Sequence, residues 1–287
     1  MAENKKKGMD IGRADTLVQA WQVMPWQRNP LPQDDQELND LDARLRQTPE
    51  DPELHKLRGL RLAKLGYYRE ATECFSRAIV IDPFQWEYYR HRAHRFLSCR
   101  LFADAAADFT IASRLNPNDW NVWYHLGLSW FLLRDYEQAD AAYKRCEKLC
   151  VTADDVAAVT DWHYITLRRL GREREAQALL DGTPDDLAVT DKVSGSYMLR
   201  LRLYKGLVGP EQLFEQVEPD RGAELAVITQ GFGLANYWLW QGQRDKYEDM
   251  LDRVIRTAEN SPWYAAFACL AAQVDKIQLS KSKEAAE

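Results

Sequence analysis

The chain has 287 residues, 46% of them hydrophobic and 29% charged, with a net charge of −6. It is long enough to bury a large core, in one elongated domain or two compact ones. The negative balance excludes a uniformly basic nucleic-acid binder, because phosphate contacts need clustered Lys and Arg, so no nucleic acid is expected as a partner. In chain order, residues 1–35 read as an arm. Its first ten residues, MAENKKKGMD, are charged with no apolar run behind them; no signal peptide is expected, and residues 1–12 are expected to be disordered. The stretch TLVQAWQVMPW (16–26) is too aromatic for a free tail and is expected to pack on the body. An acidic lead-in helix is predicted over 35–47. Residues 34–53 hold eight acids against Arg44 and Arg46, and such a segment could lie over a basic groove and block it.

Helices are then predicted in pairs, 52–65 with 68–81, 86–98 with 102–115, and 120–133 with 136–149, because apolar residues recur three and four apart in each. Gly66 breaks the first pair. Pro83 and Pro117 stop second helices, since proline lacks the N–H and clashes with the preceding turn. Residues 162–180 read as a degenerate fourth pair, with Gly171 and Ala176 at the offsets of Gly66 and Ala71. A turn-rich loop follows at 182–195, then a short helical pair over 196–218 broken between Gly206 and Pro210. Residues 234–255 read as helix, Gly242, helix, and the glycines of GFG at 231–233 are expected to allow close helix packing. A last helix is predicted over 262–279; its aromatic start suits either a cap or a homodimer contact. No stretch approaches the roughly 20 apolar residues of a membrane span. The five cysteines are odd in number and contain no CxxC, so reduced thiols in a cytoplasmic protein are expected.

The pairs repeat at a period of 34. Ala71, Ala105 and Ala139 stand in register, as do Phe75, Phe109 and Tyr143, then Ala78, Ala112 and Cys146, then Tyr68, Phe102 and Tyr136; Pro83 and Pro117 share the step. The third unit adds Trp123 and Leu126–Gly127, and the first adds Gly59 but carries His55 where Trp is usual. This pattern resembles the tetratricopeptide repeat family over residues 52–153. The resemblance implies an all-α fold, an α-solenoid of antiparallel helix pairs wound into a right-handed superhelix, with the first helix of each pair lining the concave side. The implied organisation is an arm (1–35), a repeat array (36–181), a helical-hairpin extension or C-terminal cap (182–280) and a disordered tail (281–287). The implied function is an interaction scaffold that holds a peptide or protein segment in the concave groove.

Projecting the columns onto that groove selects Lys56, Glu87, Arg90, His91, His94, Asn121, Tyr124 and His125. Residues 86–100 hold four arginines against Glu87, so an anionic ligand is expected: the arginine fork matches a carboxylate. Trp86, Tyr89, Trp120 and Tyr124 are candidate walls, and Arg92 and Arg95 are expected to turn toward the edges or the next helix. In the chaperone-binding members of the family a carboxylate clamp of Lys, Asn, Asn, Lys and Arg holds the peptide terminus. Here Lys56 matches the first position, while the others hold Leu60, His91, Asn121 and His125; that specificity is not carried over. The alternative is a small-molecule- or metal-dependent enzyme built on His91, His94 and His125, with His91 and Glu87 as an acid–base pair. Against it, HExxH, a Gly-rich phosphate loop and a nucleophile elbow are all missing, so no enzyme activity and no cofactor are expected.

Overall fold

A computed structural model of the chain describes residues 31–215 and 223–284. The aromatic stretch at 16–26 therefore lies outside the described residues. Thirteen α-helices and one 3-10 turn make up the secondary structure there, and no described residue is in a strand. No helix among the described residues is long and apolar enough to cross a membrane.

The lead-in helix is α1 (Gln36–Gln47). Asp35 starts it by accepting the Leu38 N–H at 2.9 Å, satisfying one of the donors a helix start leaves open. Three pairs follow: α2 (Pro52–Lys64) with α3 (Tyr68–Ile81), α4 (Trp86–Ser98) with α5 (Phe102–Leu115), and α6 (Trp120–Leu132) with α7 (Tyr136–Glu147). The repeating columns pack them. Ala71, Ala105 and Ala139 are fully buried, and so are Phe109 and Tyr143. A Cβ added at Gly59 would come within 2.7 Å of the Phe75 ring, and one at Gly127 within 2.5 Å of the Tyr143 ring, so in these two pairs the ring lies directly on the first helix's backbone.

The degenerate pair is α8 (Ala153–Arg169) with α9 (Glu173–Asp181); α8 opens with a Thr152–Asp155 capping box. Residues 196–218 depart from the expected helix pair. The first arm is α10 (Lys192–Tyr204), but the second is only a 3-10 turn at Pro210–Phe214, which tucks Leu213 against Leu203 and Leu234. α11 (Ala223–Trp240) and α12 (Arg244–Glu259) form the last hairpin, in which a Cβ on Gly231 would meet Val254 at 2.7 Å and one on Gly233 would meet Arg200 at 2.5 Å. The final helix is α13 (Phe267–Glu284), five residues later than expected, because Ser261–Ala266 is held as a turn: the Trp263 N–H donates to Ser261 Oγ at 3.2 Å and the Ala266 N–H to the Trp263 carbonyl at 2.9 Å. It continues through residues 281–284, which were expected to form a disordered tail.

Each hairpin bends at one residue with positive φ: Gly66, Arg100, Arg134, Gly171, Gly206 and Gly242. The next residue's N–H reaches back to the carbonyl five positions earlier, as in Leu101 to Phe96 and Asp135 to Trp130. Glycine takes this conformation at little cost, whereas the arginines at 100 and 134 are strained there. Those two arginines hold α13. Arg100 donates to Gln273 Oε1 at 3.0 Å and to the Tyr264 carbonyl at 3.2 Å, and Arg134 meets Asp275 at 3.3 Å. Arg169 meets the same Asp275 at 2.6 Å. Helix α13 thus packs on α11, α12 and α6 and buries its apolar face against the inner side of the array.

The acidic lead-in does not cover the predicted groove. Asp35 and Glu37 pair with Arg61, and Asp42 pairs with Arg58 at 2.6 Å, so its charge is spent on α2 rather than on Arg90 or His94.

Candidate ligand cleft and open rail

The eight projected residues divide into two neighbouring sites. The first is an open rail on α2 and α4. Glu53, Lys56, Leu57 and Leu60 share one stripe of α2, with Lys56 and Leu57 side by side and Glu53 and Leu60 three or four residues to either side. Lys56 Nζ lies 2.7 Å from Glu53 and 3.4 Å from Glu87, so its charge is neutralised on the spot. Arg90 has no carboxylate partner among the described residues. It donates to Asn121 Oδ1 and to His91 Nε2, each at 3.2 Å, and stands over Trp86 at 5.8 Å, leaving its Nε without an acceptor. His91 therefore accepts through Nε2, and its ring stacks on Phe75 at 5.5 Å. Burial, reinforced by Arg90, pushes its pKa down to about 3. The expected acid–base pair of His91 with Glu87 is not formed, because Arg90 takes the imidazole and Lys56 takes the carboxylate. Leu57 and Leu60 are each 36% exposed and stand three apart on α2.

The second site is a cleft of about 510 Å3 between α4, α6, the N-terminal ends of α8 and α10, and the turn that leads into α13. His94, Asn121, Tyr124 and His125 line it. The His94 and His125 rings are 4.7 Å apart, and Phe267 lies against both, at 5.6 and 5.3 Å. His125 Nδ1 sits 2.7 Å from the Asn121 carbonyl, which can only accept, so Nδ1 carries the proton. Burial pushes His125 down to about 4 and holds His94 well below the ordinary histidine range. Both imidazoles are neutral at pH 7. His91 turns to Phe75 instead of joining them, so the three histidines do not converge. Among the described residues no group of three or more His, Cys, Asp or Glu is placed to hold a metal ion.

Of the candidate walls, Trp120 and Tyr124 stack in parallel at 4.7 Å beside the cleft, while Tyr89 is buried in the core. Arg92 turns to the next helix as expected and pairs with Asp108 at 2.6 Å. Arg95 does not turn aside. It lines the cleft with its guanidinium 5.1 Å from the Tyr68 ring. Its only local signal was its place four residues after His91. Trp263 and Phe267 were also missed as lining residues, since they lie far along the chain and reach the cleft only because α13 folds back.

No family model matches the chain. Among curated proteins it is 24% identical over 199 residues to RNA polymerase II-associated protein 3 of Xenopus tropicalis, covering 69% of this chain and 26% of that protein. It is 30% identical over 193 residues to the Xenopus laevis protein of the same name, covering 67% of this chain and 25% of that protein. The chain thus spans about a quarter of the length of these relatives. Among solved structures, a tetratricopeptide repeat protein from Parabacteroides merdae is 16% identical, with a TM-score of 0.56 over 90% of this chain and 98% of the other. That likeness is one of fold.

Proposed function

We propose, on the premise that the chain is a tetratricopeptide repeat protein by fold, that it is an interaction scaffold holding an extended segment of a partner protein along the open rail. The observation that carries this reading is the exposure of Leu57 and Leu60 on the inner face of α2, beside Lys56 and Arg90. Among the described residues α13 packs on α6 and leaves α2 alone, so the first unit keeps its inner face free while later units do not. A bound segment would set apolar side chains on the two leucines. It would place one acidic group at Arg90, the cation of the rail that lacks a carboxylate. The anionic preference therefore rests on Arg90 alone, since Lys56 already faces two glutamates. The relatives are named for association with another protein, which suits an interaction role. The five free thiols suit a cytoplasmic setting.

The test is affinity capture followed by a tiled peptide array of the captured protein, read with the wild-type chain and with the double variant Leu57→Asp, Leu60→Asp. Loss of the same peptides from the variant, with an unchanged melting temperature, supports the rail. Retention of those peptides overturns it.

A further inference from the structure

The cleft is a separate feature from the rail, and its lining is unlike that of the rest of the molecule. We infer that it binds a small organic acid, a planar apolar body carrying a carboxylate, with Arg95 as the anion contact.

Other arginines set into this fold each have a carboxylate or a hydrogen-bond acceptor beside them, although Arg90 Nε, Arg169 Nε and Arg200 Nη2 are buried without a hydrogen-bond partner among the described residues. Arg92 faces Asp108, Arg169 faces Asp275, and Arg200 faces Asp161. Arg100 lacks a carboxylate but spends its donors on Gln273 Oε1 and on the carbonyls of Ser98 and Tyr264. Arg95 alone among these makes no hydrogen bond and no ion pair with any described residue, and its guanidinium has only the Tyr68 ring beneath it. It is half-buried, and the surrounding protein depresses its pKa by desolvation with no carboxylate to offset the effect. A second donor is idle at the same cleft: the indole N–H of Trp263 is buried and has no acceptor among the described residues. An idle buried donor such as this indole N–H is uncommon in folded proteins and asks for an acceptor.

The neighbouring groups fit one anion on an apolar body. His94 and His125 are neutral and add no second charge, and the Trp120–Tyr124 stack offers flat apolar surface. Three carboxylates also line the cleft, Asp154, Asp155 and Asp191. Asp154 and Asp155 stand in the first turn of α8 and Asp191 caps the start of α10, whereas Arg95 stands on α4. Each is engaged: Asp154 accepts from Thr190 and the Asp191 N–H, Asp155 from the Val151 and Thr152 N–H groups, and Asp191 from the Val193 and Ser194 N–H groups. The volume lies within the range of small-ligand pockets. The turn at 261–266 and Phe267 stand over the Arg95 end, which suits a free molecule better than a through-running main chain.

The test uses the full chain with phenylacetate, benzoate and the neutral isostere phenylacetamide, read by calorimetry and by tryptophan fluorescence, since Trp120 and Trp263 line the cleft. Phenylacetate is expected to bind about tenfold tighter than phenylacetamide, the usual worth of a charge-assisted hydrogen bond. Arg95→Gln should erase that preference, and Arg95→Lys should keep part of it. Leu57→Asp with Leu60→Asp should leave phenylacetate binding unchanged, which separates this site from the rail. Equal binding of acid and amide to the wild-type chain, no heat with either acid at millimolar concentration, or a preference that survives Arg95→Gln would each overturn the inference. So would a peptide with a free C-terminal carboxylate that binds in the cleft where the free acids do not. The wild-type comparison of acid with amide decides the matter even if an Arg95 variant fails to fold.

Discussion

The first three helix pairs repeat one packing solution, whereas the C-terminal closure adds a fully buried ion pair to the shared apolar core. In the pairs, the Ala71, Ala105 and Ala139 column and the Phe75, Phe109 and Tyr143 column are buried, and the Phe75 and Tyr143 rings lie on the backbone at Gly59 and Gly127. In the closure, α10 and α13 add buried charge to their apolar packing. Arg200 meets Asp161 at 2.8 Å with both side chains fully buried, and Arg134 and Arg169 converge on Asp275. Apolar columns tolerate small misfits, whereas a buried ion pair fails outright when one partner is lost. The array should therefore resist single changes that the closure cannot.

The largest effect should come from the Arg200–Asp161 pair. Arg200→Met leaves Asp161 without its cation and should cost about 3–5 kcal/mol in urea unfolding at about pH 9, where wild-type Asp161 is ionised. Burial already pushes Asp161 up to about 7 despite the arginine. Its proton is thus held more tightly in the folded state, and folding without Arg200 favours the neutral acid. The deficit relative to wild type should grow as pH rises through about 7 and shrink as pH falls below it. A double variant, Arg200→Met with Asp161→Leu, should recover much of the loss. If the single variant melts within a degree of wild type, buried charge is not what holds the closure.

The junction between the two regions should be acid-sensitive. His125 is depressed from its ordinary value to about 4, mainly by burial, with Arg90 and Arg95 as the cations that disfavour a further charge. Its contribution to stability is present above pH 6.5 and is lost as pH falls from there toward 4, on the order of 3 kcal/mol over that window. Phe267, the first residue of α13, packs on both His94 and His125. Hydrogen exchange at pH 5 should therefore show α13 losing protection before α6 or α7 does. Equal loss in all three would place the acid lability elsewhere.

The array gives smaller numbers. Gly127→Ala sets a methyl into the Tyr143 ring and should cost about 1–3 kcal/mol, as overpacking does. Arg100→Gly works in opposite directions. It relieves a left-handed arginine, worth about 1 kcal/mol, and leaves the buried Gln273 without its donor, which costs about the same or somewhat more. Global stability should fall by about 1 kcal/mol or less, while α13 exchanges faster. A variant that is more stable and equally protected would mean that Arg100 does not fasten the helix.

Much of this was legible in the sequence, for a reason that also sets the limit. The period of 34 exposed the columns because each repeat solves the same packing problem with the same residues at the same offsets. The four glycines at the bends were legible as breaks. Arg100 and Arg134 were not, although they stand 34 and 68 residues beyond Gly66, because arginine carries no local signal for a left-handed backbone. The first turn of α13 had no signal at all. Its start is set by the Ser261–Ala266 turn, and its place against the array by Asp275 meeting Arg134 and Arg169 across more than a hundred residues of chain, which no local spacing encodes. The candidate site was half legible for the same reason. The column projection placed His94, Asn121, Tyr124 and His125 along one cleft, and it missed the roof formed by Trp263 and Phe267.

The smallest stability effect is the one that separates scaffold from function. Leu57→Ser and Leu60→Ser remove apolar surface that is already partly in water, so each should change stability by no more than about 0.5 kcal/mol. Stability does not account for such residues, since the array folds on its buried columns, and burial against a partner would account for them. If the two serine variants melt with wild type and lose the peptides that the wild-type chain captures, the rail is a surface kept apolar for association. If they melt well below wild type instead, Leu57 and Leu60 belong to the fold, and the distinction between a self-sufficient array and a free inner face fails at α2.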